Sequence, residues 1–142
     1  MNYNLSESSW GEEEIEALHK VIEAGRFTMG DRVLHFERDF TRKFGVKYAL
    51  MTSSGSTANL VGIASLFFKK DRPLRRGDEV IVPSISWATT FYPLQQYGLK
   101  LKFLDVGLET LNMDVSQLER ALTPKTKMVV GVSILGNPCA LD

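Results

Sequence analysis

The 142 residues carry 17 Lys plus Arg against 17 Asp plus Glu, which leaves no net charge to attract a polyanion and argues against a nucleic-acid partner. The length suits one domain with a real core, and a single cysteine excludes an internal disulfide framework. With a polar, acidic N-terminus and no apolar run long enough to span a bilayer, the composition predicts a soluble, cytoplasmic α/β protein without a membrane partner.

In chain order, residues 1–8 read as a polar arm. Ser9-Trp10-Gly11-Glu12 has capping-box spacing, and Ile15, Leu18 and Ile22 then recur on one helical face until Gly25. Gly25 to Gly30 is a loop holding Arg26, Thr28 and Met29. Asp31 is placed to cap a second helix bearing Val33, Phe36, Phe40 and Phe44, and Gly45 suits its C′ position. The aromatic stripe reads as packing rather than as a cofactor surface. Neither His19 nor His35 has a second His, Cys or carboxylate pair at metal-ligand spacing, so no metal site is expected.

The stretch from Tyr48 to Leu60 organises the rest. Tyr48 to Met51 predicts a strand, Thr52 to Ser56 a tight polar turn, and Thr57 to Phe68 a helix that is apolar almost all round. Such a helix expects cover from several sides, so the isolated chain is expected to self-associate or partly unfold. First-turn N–H groups of a helix have no internal partner and suit a phosphate. Hydroxyls on Ser54, Ser56 and Thr57 add possible donors. Ser/Gly/Thr before a helix also serves as an ordinary N-cap, and the residues alone leave both readings open.

The connector Lys69 to Arg76 is basic and reads as a solvated loop. Val80 to Pro83 predicts a buried strand, Ser84 to Thr90 leads into a helix ending near Gly98, and Leu99 to Val106 predicts another strand. Asp114 is placed to cap a helix with Val115, Leu118 and Leu122, and Lys127 to Ile134 predicts the last strand. This alternation implies a mostly parallel sheet with helices on its faces. Polar turns at Thr52–Ser56, Ser84–Thr90 and Gly136–Pro138 all follow strands and gather at the carboxyl edge, where ligands bind in such sheets.

At that edge Trp87 either covers a planar ligand held by phosphate at Gly55 and Ser56, or packs against a neighbouring helix. Ser86, Thr89 and Thr90 bond the ligand or cap the helix, and Asp105 ends its strand facing the same mouth. Cys139 has no base beside it and is not proposed as a nucleophile. No lysine has a catalytic setting: Lys127 precedes a strand, and Lys69 and Lys70 follow a helix.

Four segments together carry a resemblance. They are Gly25-Arg26-Phe27-Thr28-Met29-Gly30 leading to Phe36-Glu37, Thr52 to Leu60, Gly77 to Pro83, and Leu135-Gly136-Asn137-Pro138. In this order and spacing the chain from Ser8 to Asp142 resembles the N-terminal third of DegT/StrS-type (DegT/DnrJ/EryC/StrS) sugar aminotransferases and dehydratases. These are enzymes dependent on pyridoxal phosphate (PLP). The resemblance implies part of a fold-type I large domain, a three-layer α/β/α arrangement, with residues 1–30 as arm, helix and loop and residues 31–142 as the incomplete cofactor-binding domain. It implies that Gly55 and Ser56 hold the phosphate of PLP or pyridoxamine phosphate (PMP). It places Trp87 against the pyridine ring and Thr28 on the sugar-nucleotide side, and it implies a homodimer when complete.

Ser54-Gly55-Ser56-Thr57-Ala58-Asn59 and Ser86-Trp87-Ala88-Thr89-Thr90 look closer to the dehydrating branch, which removes the 3-hydroxyl of a nucleotide-linked 4-keto-6-deoxyhexose. Amino-transferring members share these features. The family's pyridine-nitrogen aspartate, its glutamine and its cofactor-bearing lysine (a histidine in some dehydratases) fall beyond Asp142. No catalytic residue is therefore assigned within the chain, and the chain alone is expected to be inactive. The expected whole is an enzyme of surface-polysaccharide sugar synthesis; the alternative is a non-catalytic remnant or assembly domain of the same fold. A nucleotide-binding module would need a Gly-x-Gly-x-x-Gly or Walker pattern, and neither occurs.

Overall fold

A computed structural model describes residues 7–140, so most of the polar arm expected at residues 1–8 lies outside the described residues. Two compact units divide between Met51 and Thr52.

The N-terminal unit contains α1 (Glu12–Ala24) and α2 (Asp31–Phe44). Its caps differ from the expected ones by one or two residues. Ser9 does not cap α1. Gly11 holds the N-cap position, and its N–H donates to the Glu14 carboxylate at 2.7 Å. A glycine has no oxygen to return to the first turn, so only half of a capping box forms. Asp31 is likewise not the cap of α2 but its first residue, after Gly30. There its charge still complements the helix dipole. Gly45 ends α2 in the left-handed region at φ 63°, as expected. Phe36, Phe40 and Phe44 pack ring against ring, with centroids 6.0 and 4.4 Å apart, while remaining exposed within this unit.

Tyr48 to Met51 does not form the expected strand. A strand exists only where a neighbour accepts its ladder bonds. Here the Met51 N–H donates instead to the Glu37 carboxylate at 2.8 Å.

The second unit contains α3 (Gly55–Leu66), β1 (Glu79–Pro83), α4 (Ala88–Gln96), β2 (Lys100–Leu104), α5 (Leu118–Ala121) and β3 (Thr126–Val129). The strands form one parallel sheet in the order β2-β1-β3. Val80 and Val82 on one face of β1 join Leu74, Leu94 and Leu99 in a core that Ile63, Leu66 and Phe67 of the α3 end pack against. Ile81 on the other face meets Leu104, Met113 and Ala121. The period-two alternation of β1 thus feeds two helix layers, which is why its whole Val-Ile-Val run is buried.

The last strand is shorter than Lys127 to Ile134. Val130 N–H bonds the Ile81 carbonyl at 2.9 Å, and the chain then leaves the sheet for a 3₁₀ turn at Ile134–Gly136. On its β3 side β1 offers little more pairing beyond Ile81, because Pro83 has no N–H. The helix after Asp114 is also broken, into a 3₁₀ turn at Val115–Gln117 followed by the short α5. Asp114 caps it as expected, accepting from Ser116 N–H at 3.0 Å and from Gln117 Nε2 at 2.7 Å.

Glu79 starts the central strand and ties down the turn before β3. Its carboxylate accepts from Thr126 Oγ1 at 2.6 Å and Thr123 Oγ1 at 2.9 Å. Those two hydroxyls, Thr126 first, hold its pKa below the ordinary 4.5. A lowered folded-state pKa means stabilisation that is present above the unfolded value and lost as pH falls through the folded one. The urea midpoint of the wild type should therefore exceed that of Glu79→Gln at neutral pH, with the gap closing in acid below the ordinary value. A gap independent of pH would show that the carboxylate charge contributes nothing.

Candidate functional site

Ser54 caps α3 through reciprocal bonds: Thr57 N–H donates to Ser54 Oγ at 3.2 Å, and Ser54 N–H donates to Thr57 Oγ1 at 3.0 Å. Thr57 Oγ1 in turn donates to the Ser54 carbonyl at 2.8 Å. Two of the three hydroxyls expected as ligand donors, those of Ser54 and Thr57, are therefore spent on the cap. What they leave is more useful. Among the described residues, no bond uses the N–H of Gly55, the N–H of Ser56 or the Ser56 hydroxyl. A Cβ built on Gly55 meets nothing within 4 Å, so a ligand can come onto the backbone there. Two free N–H groups thus stand at the positive end of a twelve-residue helix with open space above, the setting in which helices receive anions.

Helix α4 places a ring at the same end. Asn59 Nδ2, near the start of α3, donates to the Thr89 carbonyl at the start of α4 at 3.4 Å. At the other ends, Phe67 and Tyr97 rings lie 5.4 Å apart. The two helices therefore run parallel, and both N-termini stand at the carboxyl edge of the sheet, since α4 follows the end of β1. Trp87 is the N-cap residue of α4, and its side chain is 69% exposed. Within this unit the Trp87 ring is therefore largely uncovered rather than buried against a neighbouring helix. Ser86 and Thr90 hydroxyls bond each other at 2.9 Å and brace the turn that carries the ring.

The other carboxyl-edge residues are structural. Asp105 accepts from Val106 N–H at 2.8 Å and from the Ser84 hydroxyl at 3.4 Å, joining the ends of β2 and β1. Asn112 went unnoticed in the sequence, yet it is buried and fastens the turn at Gly136. Its Nδ2 donates to the Asn137 and Pro138 carbonyls at 3.0 and 2.8 Å, and its Oδ1 accepts from Ile134 N–H at 3.2 Å. Cys139 is buried behind this turn. The sequence offers no sign of the role of Asn112 beyond an asparagine in a loop, and asparagines in loops are common.

Thr28 belongs to the N-terminal unit, where it lines a cleft of about 500 Å³ with Lys20, Arg26, Arg32 and Met51. His19 and His35 are exposed, and among the described residues no three potential ligands gather as a metal site. Nor is any helix among them long and apolar enough to cross a membrane.

Comparison with known proteins gives the family of the chain. A model of the DegT/DnrJ/EryC1/StrS aminotransferase family matches residues 8–142. Over its whole length the chain is 51% identical to GDP-4-keto-6-deoxy-D-mannose 3-dehydratase of Yersinia pseudotuberculosis, of which it covers 36%. It is 39% identical, over 82% of its length, to dTDP-4-dehydro-2,6-dideoxy-D-glucose 3-dehydratase of Saccharopolyspora spinosa, covering 26% of that protein. A solved structure of the Escherichia coli GDP-4-keto-6-deoxy-D-mannose-3-dehydratase with bound hydrated PLP superposes with a TM-score of 0.89 at 52% identity. That superposition covers 96% of this chain and 35% of the other. The chain thus spans about a third of the length of the first of these relatives.

Proposed function

The chain belongs to the DegT/DnrJ/EryC1/StrS aminotransferase family, and from that premise we propose that it supplies the phosphate cradle and ring cover of a PLP- or PMP-dependent sugar 3-dehydratase. The substrate is a nucleotide-linked 4-keto-6-deoxyhexose, and the product serves surface-polysaccharide synthesis in the cytoplasm. Identity of 51% to a 3-dehydratase favours dehydration over amino transfer. The complete enzyme is a homodimer, and Thr28 serves the sugar-nucleotide side.

One observation carries the reading: two parallel helices present free N–H groups and an uncovered indole at one sheet edge. The N–H groups of Gly55 and Ser56, with the Ser56 hydroxyl, take the phosphate oxygens. Trp87 lies against one face of the pyridine ring and keeps water from it. The cofactor, when bound, supplies the electron sink needed to expel a hydroxyl beside a carbonyl-bearing carbon. This chain's part is to hold and orient.

The second unit offers no lysine at that edge. Lys69, Lys70, Lys100, Lys125 and Lys127 belong to the opposite edge and its connectors, and Lys102 Nζ is bonded to the Ala121 carbonyl at 2.6 Å. The 142-residue chain should accordingly bind PMP without turning over sugar. Titration of the chain with PMP and with unphosphorylated pyridoxamine, followed by Trp fluorescence, tests the cradle. Equal affinity for the two refutes it. Sugar turnover by the rigorously purified chain would refute the assignment of a holding role alone.

A further inference from the structure

The second unit is electrically polarised. Its carboxyl edge carries Asp105, Glu109 and Asp114, whereas its amino edge gathers Arg72, Arg75, Arg76, Lys100, Lys125 and Lys127. Backbone bonds set this grouping. Glu79 N–H binds the Lys125 carbonyl at 3.1 Å, Lys100 N–H binds the Asp78 carbonyl at 2.8 Å, and Asp78 N–H binds the Arg75 carbonyl at 3.0 Å.

Among the described residues, the acids of this edge other than Asp71 form no ion pair with its cations. Asp78 accepts from Arg75 N–H at 2.8 Å, and Glu79 accepts from two threonine hydroxyls. Among the described residues, one ion pair forms at this edge, a loose contact of 3.9 Å between Arg72 and Asp71. Arg75 and Lys127 have no carboxylate partner there.

Three of these cations, Arg72, Arg75 and Lys127, border a hollow. A cleft of about 560 Å³ is lined by Arg72, Pro73, Arg75, Asp78, Thr126 and Lys127, a volume within the range of small-molecule sites. Arg72 stands in the left-handed region at φ 47°, directly before Pro73. A non-glycine residue pays for that conformation, and a following proline narrows its choices further. Strain of this kind collects where a side chain must be aimed.

We propose that this amino-edge cleft is a second anion site, distinct from the Gly55 cradle, which takes the diphosphate group of a small soluble ligand. Arg75 and Arg72 offer planar forks suited to adjacent phosphate oxygens, and Lys127 adds a point charge. Because it lies at the sheet end opposite Gly55, occupancy of one site leaves the other open.

The probe is isotopically labelled inorganic pyrophosphate in equilibrium dialysis against the full chain carrying Gly55→Phe, which fills the cradle. Saturable binding should persist in that variant. Arg75→Ala with Lys127→Ala should weaken it by about tenfold or more, and Lys100→Ala, outside the cleft, by less than about twofold. Pyrophosphate should also protect Arg72 and Arg75 of the unsubstituted chain from phenylglyoxal, and leave Arg32 and Arg42 reactive. That map decides the matter if the double variant does not fold. Loss of all binding in Gly55→Phe, equal protection of every arginine, or sedimentation with phosphatidylglycerol vesicles without pyrophosphate binding would each overturn the proposal.

Discussion

Gly55→Phe should abolish detectable PMP binding, whereas Trp87→Ala should weaken it about fivefold and preserve the preference for the phosphorylated ligand. The asymmetry follows from what each residue contributes. Hydrogen bonds from N–H groups to a charged acceptor are worth about 1.5–3 kcal/mol each, so losing two costs more than about a hundredfold in affinity. Ring contact adds about 1 kcal/mol. A side chain at Gly55 enters the space the phosphate needs, yet a Cβ there meets no protein atom within 4 Å, and Gly55 opens a helix instead of making a left-handed turn. The substitution should therefore leave the unfolding midpoint unchanged or slightly raised, since glycine is a poor helix residue. Trp87 is exposed, so its truncation should likewise spare the fold. Fluorescence titration and urea unfolding on the same samples check both halves. Normal PMP affinity in Gly55→Phe would remove the cradle, and loss of the phosphate preference in Trp87→Ala would show that the ring had been credited with the wrong role.

What could be read from the sequence was what is locally encoded. The Val80-Ile81-Val82 run announces a strand buried on both faces, and the sheet covers both. Gly45 and Asp114 act where their conformational or hydrogen-bonding needs place them. The parallel sheet followed from element order alone, although the turn at Thr52–Ser56 follows no strand. Errors arose where a partner decides the outcome. Tyr48 to Met51 has strand-like residues but no ladder, and its last N–H goes to a side chain fourteen residues earlier. Ser9 has the cap's side chain, yet the helix begins two residues later, where Glu14 can reach Gly11. At the candidate site the pattern could not separate hydroxyls that cap from one that faces outward. Ser54 and Thr57 satisfy each other, and only coordinates show that Ser56 is left over. Asn112 is the extreme case, because its three partners lie 22 to 26 residues away.

That asparagine carries the second large effect. Asn112 is 6% exposed and closes the carboxyl-edge turn with every polar atom of its side chain: two N–H bonds to carbonyls and one acceptor for an N–H. Asn112→Ala removes three bonds at about 1 kcal/mol each, but the freed groups of Asn137 and Pro138 lie at the surface, where water can reach them. A net loss of about 2 kcal/mol is expected, which corresponds to about thirtyfold in the opening of this corner. Cys139 provides the readout. It is buried, with its N–H on Ser133 Oγ at 3.2 Å, and it is the chain's only thiol. Its labelling by a disulfide reagent should accelerate about thirtyfold in Asn112→Ala if the turn opens as a unit. Asn112→Asp sharpens the test, because a carboxylate keeps the acceptor for Ile134 N–H but sets a negative oxygen against two carbonyls. It should label at least as fast as the alanine variant in spite of its closer shape. Slow labelling in both variants would mean that the turn is held by the Asn137 Nδ2 bond to the Thr110 carbonyl at 2.9 Å and has no need of Asn112.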